Sequence, residues 1–297
     1  MRAASRHKWL EVHGLEHWTL FYTDYGVALQ KRFFGHHLKR EDTGWDRQPP
    51  VQLHVRHVDG TFTQRAEQEW PLARTRWTRL HLDAEHGALS TTPVEREGQV
   101  AYEAMGDGIT FSTPPLEREI EITGPLAARL FVSSSTDDAD LFLILRVWAP
   151  DGGEVVFQGA LDPRTPVAQG WLRASHRRLD PVLSTEYRPY HTHDEVQPLI
   201  PGEVYEFDIE IWPTSVVVPV GYRIALTVRG RDYEHAGAGA GGGGARLASF
   251  KNEMTGSGPF LHDDPRDRPP ERFGGRQTLH AGGDRAAYVL LPVIPTT

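Results

Sequence analysis

The chain has no cysteine among its 297 residues. That absence excludes a disulfide framework, a thiolate metal site and a cysteine nucleophile. Long hydrophobic runs are missing too. No uninterrupted apolar stretch approaches the ~20 residues that a membrane-crossing helix needs. The amino-terminal MRAASRHKW is positively charged but has no apolar core of a signal peptide. A soluble, cytoplasmic chain with no membrane partner is expected. Excess positive charge is also lacking: 32 Lys and Arg stand against 40 Asp and Glu, for a net charge of -8 and a pI near 6.0. The arginines are interspersed with carboxylates and form no basic stripe, so no nucleic-acid partner is expected. Nor is there a G-x-S-x-G nucleophile elbow. Ser133 to Ser135 lie in an alternating strand pattern, and Gly256 to Gly258 lacks the elbow spacing.

Aromatic residues are plentiful, with eight Trp, nine Tyr and twelve Phe, and they suit a β-rich core. From Val51 onward the pattern is strand and turn, with no convincing second helix. Val51, Leu53 and Val55 alternate with polar residues up to Asp59-Gly60, a hairpin signal. Trp77, Leu80 and Leu82 open another strand, followed by a loop expected from Ala84 to about Gly108. Ile120 and Ile122 start a strand that Gly124-Pro125 is expected to break, and Leu130 and Val132 take it up again. Leu141 to Val147 is apolar on both faces, as in a central sandwich strand. Asp151-Gly152-Gly153 predicts a second hairpin. Leu161 to Gly202 reads as a long surface connection. Tyr205 to Ile211 and Tyr222 to Val228 both alternate with period two, and a strand pair with one buried face is predicted for them, joined at Pro219-Val220-Gly221. The Gly/Ala run Ala236 to Ala245 reads as a flexible spacer, since it lacks the lysine and Ser/Thr of a phosphate loop. A last strand is expected from Ala287 to Leu291. Strands of this length with no helix to cover them predict two packed sheets, and a jelly-roll β-sandwich is the expected fold.

Only the amino-terminal stretch KWLEVHGLEHWTLFYTDYGVALQKRFFGHHLK differs, reading strand, loop, helix. Trp9, Leu10 and Val12 make the strand. Thr23 is placed to cap a helix whose apolar residues are Val27, Leu29, Phe33, Phe34 and Leu38. His13 and His17 lie between, where open α/β sheets carry catalytic groups beyond a strand's carboxyl end. The turn-rich REDTGWDRQPP then marks a boundary, giving residues 1-44 and 45-297 as two units.

These stretches resemble the CocE/NonD family of α/β serine hydrolases, which includes cocaine esterases and X-prolyl dipeptidyl-peptidases. HGLEHW is similar to the triad-histidine loop. LIPGEVYEFDIEIWPTSVVVPVGYRIALTV, GPFLHDDPRDRPPERFGGRQTLHAGG, YVLLPVIP, GWLRASHRRLD and PYHTHDE look like the family's carboxyl-terminal β-sandwich. The resemblance implies that residues 1-44 are the last strand, histidine loop and helix of an α/β-hydrolase domain. It implies a galactose-binding-like jelly roll for residues 45-297. It also implies His17 as the triad histidine, with no cofactor and no metal, and an ester or X-Pro peptide as substrate. In that family nucleophile and acid precede the histidine, yet only sixteen residues precede His17 here. The chain is therefore expected to be the carboxyl-terminal portion of such an enzyme, inactive alone and completed by a separate amino-terminal α/β-hydrolase half, or else to act as a homo-oligomer.

The alternative is a non-enzymatic β-sandwich that binds carbohydrate or a partner. Exposed tryptophans among Trp148, Trp171 and Trp212 would speak for it. Three polar clusters are given structural readings instead of functional ones. His191-x-His193-Asp194 lacks a third metal ligand. Asp137, Asp138 and Asp140 read as a turn whose carboxylates satisfy local amides. HDDPRDRPPER reads as a charged loop held by local salt bridges.

Overall fold

Alternating apolar and polar residues form strands that recur from Val51 to Ile294. The computed structural model describes residues 4–15, 18–160, 162–236, 254–258 and 261–295. In chain order come β1 (Leu10–Val12), α1 (Thr19–Tyr22), α2 (Asp24–Lys39), β2 (Val51–His57), β3 (Phe62–Glu67), β4 (Arg76–Asp83), β5 (Ala88–Ser90), β6 (Gly98–Glu103) and β7 (Ile109–Ser112). They are followed by β8 (Ile120–Ser134), β9 (Asp140–Trp148), β10 (Ala168–Arg173), β11 (Val204–Val218), β12 (Arg223–Arg229), α3 (Pro270–Phe273), β13 (Arg276–Ala281) and β14 (Tyr288–Ile294). The architecture is mainly β. The fourteen strands of the described residues hydrogen-bond into one curled sheet whose main path runs β1-β2-β11-β8-β14-β4-β5-β7-β12-β9-β10. The curl brings its inner face onto itself as in a β-sandwich, and the core fills with Leu130, Leu141, Leu143, Phe207, Ile209 and Leu226, all essentially inaccessible. Among the described residues no helix is long and apolar enough to cross a membrane.

Strand β8 is the spine. It pairs along one edge with β11, and along the other with β14 and then β13. The predicted break at Gly124-Pro125 does not occur, because the strand runs through it. Both neighbours shift register there, β11 between Ile211 and Thr214 and β14 between Leu290 and Val293, so the proline falls at bulges where no ladder donor is required. Gly124 has φ 145, and a Cβ on it would stand 2.8 Å from Pro292 Cβ, so only glycine suits this crossing.

Other expectations are corrected in the same way. β11 and β12 are not paired with each other: β11 lies beside β8 and β2, β12 beside β7 and β9. Period two reports a half-buried strand but not its neighbour. The stretch read as loop after Ala84 contains β5 and β6, the latter paired along its length with β13. The long connection after Leu161 contains β10, which pairs with β9. At Asp151-Gly152-Gly153 the chain does turn, with Ala149 N donating to Gly153 O at 2.8 Å, but the return arm makes only isolated bridges. The short α1 and α3 were not expected. The β2–β3 hairpin follows its alternation, Val51 opposite Glu67 through Arg56 opposite Phe62.

Candidate functional site

The histidine loop leaves β1, which lies parallel to β2 with Leu10 opposite Val51 and Val12 opposite Leu53. Glu16 and His17 are outside the described residues, as is the Gly/Ala run from residue 237 onward. What anchors the loop on either side is described. Gly14 N donates to His54 Nδ1 at 3.1 Å. His54 on β2 is stacked on Phe62 at 4.4 Å, and burial lowers its pKa, with the charge of His13 adding to the effect. A neutral imidazole that accepts at Nδ1 carries its proton on Nε2. On the far side, Thr23 caps α2 as predicted, its Oγ1 accepting from Gly26 N at 3.1 Å. The Tyr25 hydroxyl accepts from Gln64 Nε2 at 2.8 Å. Burial, reinforced by the neighbouring Glu11 carboxylate, pushes that phenol up to about 12. Burial likewise raises Glu11. His13 is half-buried, and its Nδ1 is enclosed without a hydrogen-bond partner.

The apolar residues of α2 divide into two sets. Phe33 packs edge-on against Trp9 and Trp45, and His37 joins them, its ring 4.6 Å from that of Phe33. Phe34 and Leu38 are exposed at 49% and 75%, and in the neighbouring α1 so are Phe21 and Tyr22, at 56% and 74%.

The second constellation is a groove of about 620 Å³ on the outer face of β9, β10 and β11. Trp171 and Trp212 line it with ring centroids 5.1 Å apart. They are 40% and 61% exposed, whereas Trp148 is partly covered and has the Arg146 guanidinium over its ring. Beneath them Asp140 is held between two guanidiniums, Arg173 Nε at 2.9 Å and Arg268 Nε at 2.7 Å. Arg173 also reaches Asp267 at 3.0 Å. Arg268 is buried, and its remaining nitrogens donate to the His262 and Gly230 carbonyls. The loop read as held by local salt bridges is thus tied to a distant strand, because a guanidinium fork reaches across a fold in a way that sequence spacing does not register.

Asp138, also buried, accepts from the amides of Ala139 and Ser175 at 2.9 Å each and from Ser175 Oγ at 2.7 Å. The aspartate run satisfies amides and arginines, one of the amides lying far along the chain. His193 Nδ1 faces His176 Nδ1 at 3.2 Å. Among the described residues no group of three or more His, Cys, Asp or Glu is arranged to hold a metal. The groove was legible in one respect: along β11 the outward positions read Glu206, Asp208, Glu210, and then a tryptophan takes the fourth polar slot.

Comparison with known proteins decides the family. The X-Pro dipeptidyl-peptidase C-terminal non-catalytic domain family matches residues 43–290. The chain belongs to it. A CocE/NonD family hydrolase from Staphylococcus aureus superposes with a TM-score of 0.85 at 25% identity, over 98% of this chain and 50% of the hydrolase. A cocaine esterase from Rhodococcus is 24% identical, over 90% of this chain and 46% of the esterase. A putative serine esterase from Mycobacterium bovis is 27% identical, over 69% of this chain and 36% of the esterase. This member of the X-Pro dipeptidyl-peptidase C-terminal domain family therefore spans half or less of the length of these relatives, and its similarity to the CocE/NonD hydrolase takes in the strand, loop and helix that precede the family match.

Proposed function

We infer that this chain is the carboxyl-terminal portion of a CocE/NonD-type serine hydrolase acting by acyl transfer on esters or X-Pro peptides. In this reading residues 1-44 are the last strand, histidine loop and helix of the α/β-hydrolase domain, and residues 45-297 are a jelly roll forming one wall of the substrate cleft. His17 is the triad histidine. A serine attacks the carbonyl, His17 takes its proton and later returns it to the leaving group, and an acid orients the imidazole. Serine and acid come from a separate amino-terminal half. Loss of the nucleophile alone removes on the order of 10⁶ in turnover, so the chain by itself is inert.

The observation that carries this reading is the likeness to a CocE/NonD hydrolase over 98% of this chain and only 50% of the hydrolase. The exposed apolar side chains of α1 and α2 favour a partner on that face, and within the described sheet β1 has β2 as its strand neighbour on one edge. The described residues flanking the histidine loop support the reading: Gly14 is held by His54 before it, and Thr23 caps α2 after it. The test is complementation. The chain alone should not hydrolyse a p-nitrophenyl ester. Mixed with a purified α/β-hydrolase half bearing the G-x-S-x-G elbow, it should form a complex and gain activity, and His17→Ala should form the complex without activity. Hydrolysis by the chain alone, or a complex with His17→Ala that remains active, refutes the assignment.

A second reading, a β-sandwich that binds a small ligand, is favoured by the exposure of Trp171 and Trp212 in one groove.

A further inference from the structure

The curled sheet nearly closes between β10 and β11. These two strands share no ladder, yet a Cβ on Gly170 would fall 2.1 Å from the Glu210 carbonyl oxygen and 2.8 Å from Ile211 Cα. The groove opens over this seam. Phe207, Ile209 and Ile211 point into the core, so alternation turns Glu210 outward on the same side as Trp212. Glu210 is half-buried and makes no hydrogen bond or ion pair among the described residues. Its carboxyl is raised by burial, and Arg188, the one cation that acts on it, does so at a distance. The other carboxylates of the wall, Asp140 and Asp267, are already neutralised by Arg173 and Arg268. Burial holds His191 down to about 4, so its ring brings no positive charge, and its enclosed Nε2 has no partner. His262, raised by its hydrogen bond to Asp232, is answered by that carboxylate, so the Glu210 carboxyl lines the groove with the exposed indoles of Trp171 and Trp212 and has no cation in contact with it among the described residues.

We propose that the groove binds an organic ammonium ion, seated against Trp171 and Trp212 with Glu210 as its counter-charge. This rests on the reading of the groove as a ligand site. The electron-rich indole faces attract a weakly hydrated cation, an effect that grows as water is excluded. A volume of about 620 Å³ lies within the range of small-molecule sites. A neutral sugar would also stack on tryptophan, but it leaves the Glu210 charge unanswered at a position where burial already disfavours it.

The test uses the full chain and choline as probe, read by tryptophan fluorescence and calorimetry. Its uncharged isostere 3,3-dimethyl-1-butanol and galactose serve as controls. Choline should bind roughly tenfold or more tightly than the isostere, Glu210→Gln should weaken it by about tenfold, and Trp212→Ala should abolish the fluorescence change. Both substitutions are at outward positions, and cooperative unfolding with unchanged circular dichroism verifies that each variant is folded. Equal affinity for choline and isostere, or an unaltered Glu210→Gln, overturns the proposal. Binding of galactose without choline overturns the ammonium assignment and leaves the ligand-site reading standing. Silence toward all three overturns both, and esterase complementation is independent of either result.

Discussion

Replacing Asp140 by alanine probes the ion-pair network that ties β9 to the loop before α3. The Asp140 side chain is 8% exposed and is shared by Arg173 and Arg268, whose side chains are 27% and 5% exposed. Removing it leaves the Arg268 guanidinium buried with two carbonyl partners and no counter-charge. Breaking a buried pair in this way costs about 3–5 kcal/mol, most of it the penalty of the stranded charge. Arg173 keeps Asp267 and has solvent access, so the low end, near ~3 kcal/mol, is expected. Unfolding entropy of ~2.1 cal/mol/K per residue amounts to about 0.6 kcal/mol/K here, so the melting temperature should fall by roughly 5 °C. The assay is urea unfolding followed by tryptophan fluorescence, with calorimetry for the temperature shift. A second variant, Asp140→Leu with Arg268→Met, removes both charges and should recover most of the loss. A single-variant loss below about 1 kcal/mol would mean that water reaches Arg268 and would refute the argument.

Three further outcomes are expected. Because burial lowers His191 to about 4 while the unfolded chain protonates near the ordinary 6.5, the unfolded state takes up the extra proton between those values. Stability should therefore fall as pH drops from about 6.5 toward about 4, and His191→Gln should flatten that part of the urea-midpoint profile. Leu143→Ala, at a fully buried position of β9, should cost about 2–5 kcal/mol, whereas Leu38→Ala, 75% exposed on α2, should change the isolated chain by less than ~0.5 kcal/mol yet weaken complex formation with an amino-terminal half. Gly170→Ala should force β10 from β11 and destabilise by roughly 1–3 kcal/mol, measurable as a lowered urea midpoint together with altered fluorescence of Trp171.

How far the sequence could be read depended on the range of the interactions involved. The Thr23 cap and the β2–β3 hairpin are local, set by hydrogen bonds within a few residues, and both form where the pattern placed them. Strand β10 reads as connection because Gly170 takes one of its inward positions and glycine, proline and histidine dominate the sequence around it, while its partner β9 lies across a loop. Pro125 was misread because a proline breaks a strand only if its neighbours need its missing donor, and they bulge away from it. His54 could not be picked out as the anchor of the histidine loop, since the bond to Gly14 joins residues 40 apart.

The sequence by itself determined a cysteine-free, mainly β chain with a strand-loop-helix at its amino end and no nucleophile elbow, since these follow from composition, periodicity and motif spacing. Only the tertiary structure decided which strands are neighbours, that the aspartates and arginines of distant segments form one buried network, and that Trp171 and Trp212 meet above an unpaired Glu210. Period two fixes which face of a strand is buried but not what lies beside it. That choice belongs to the curl of the whole sheet, where backbones separated by tens of residues come together.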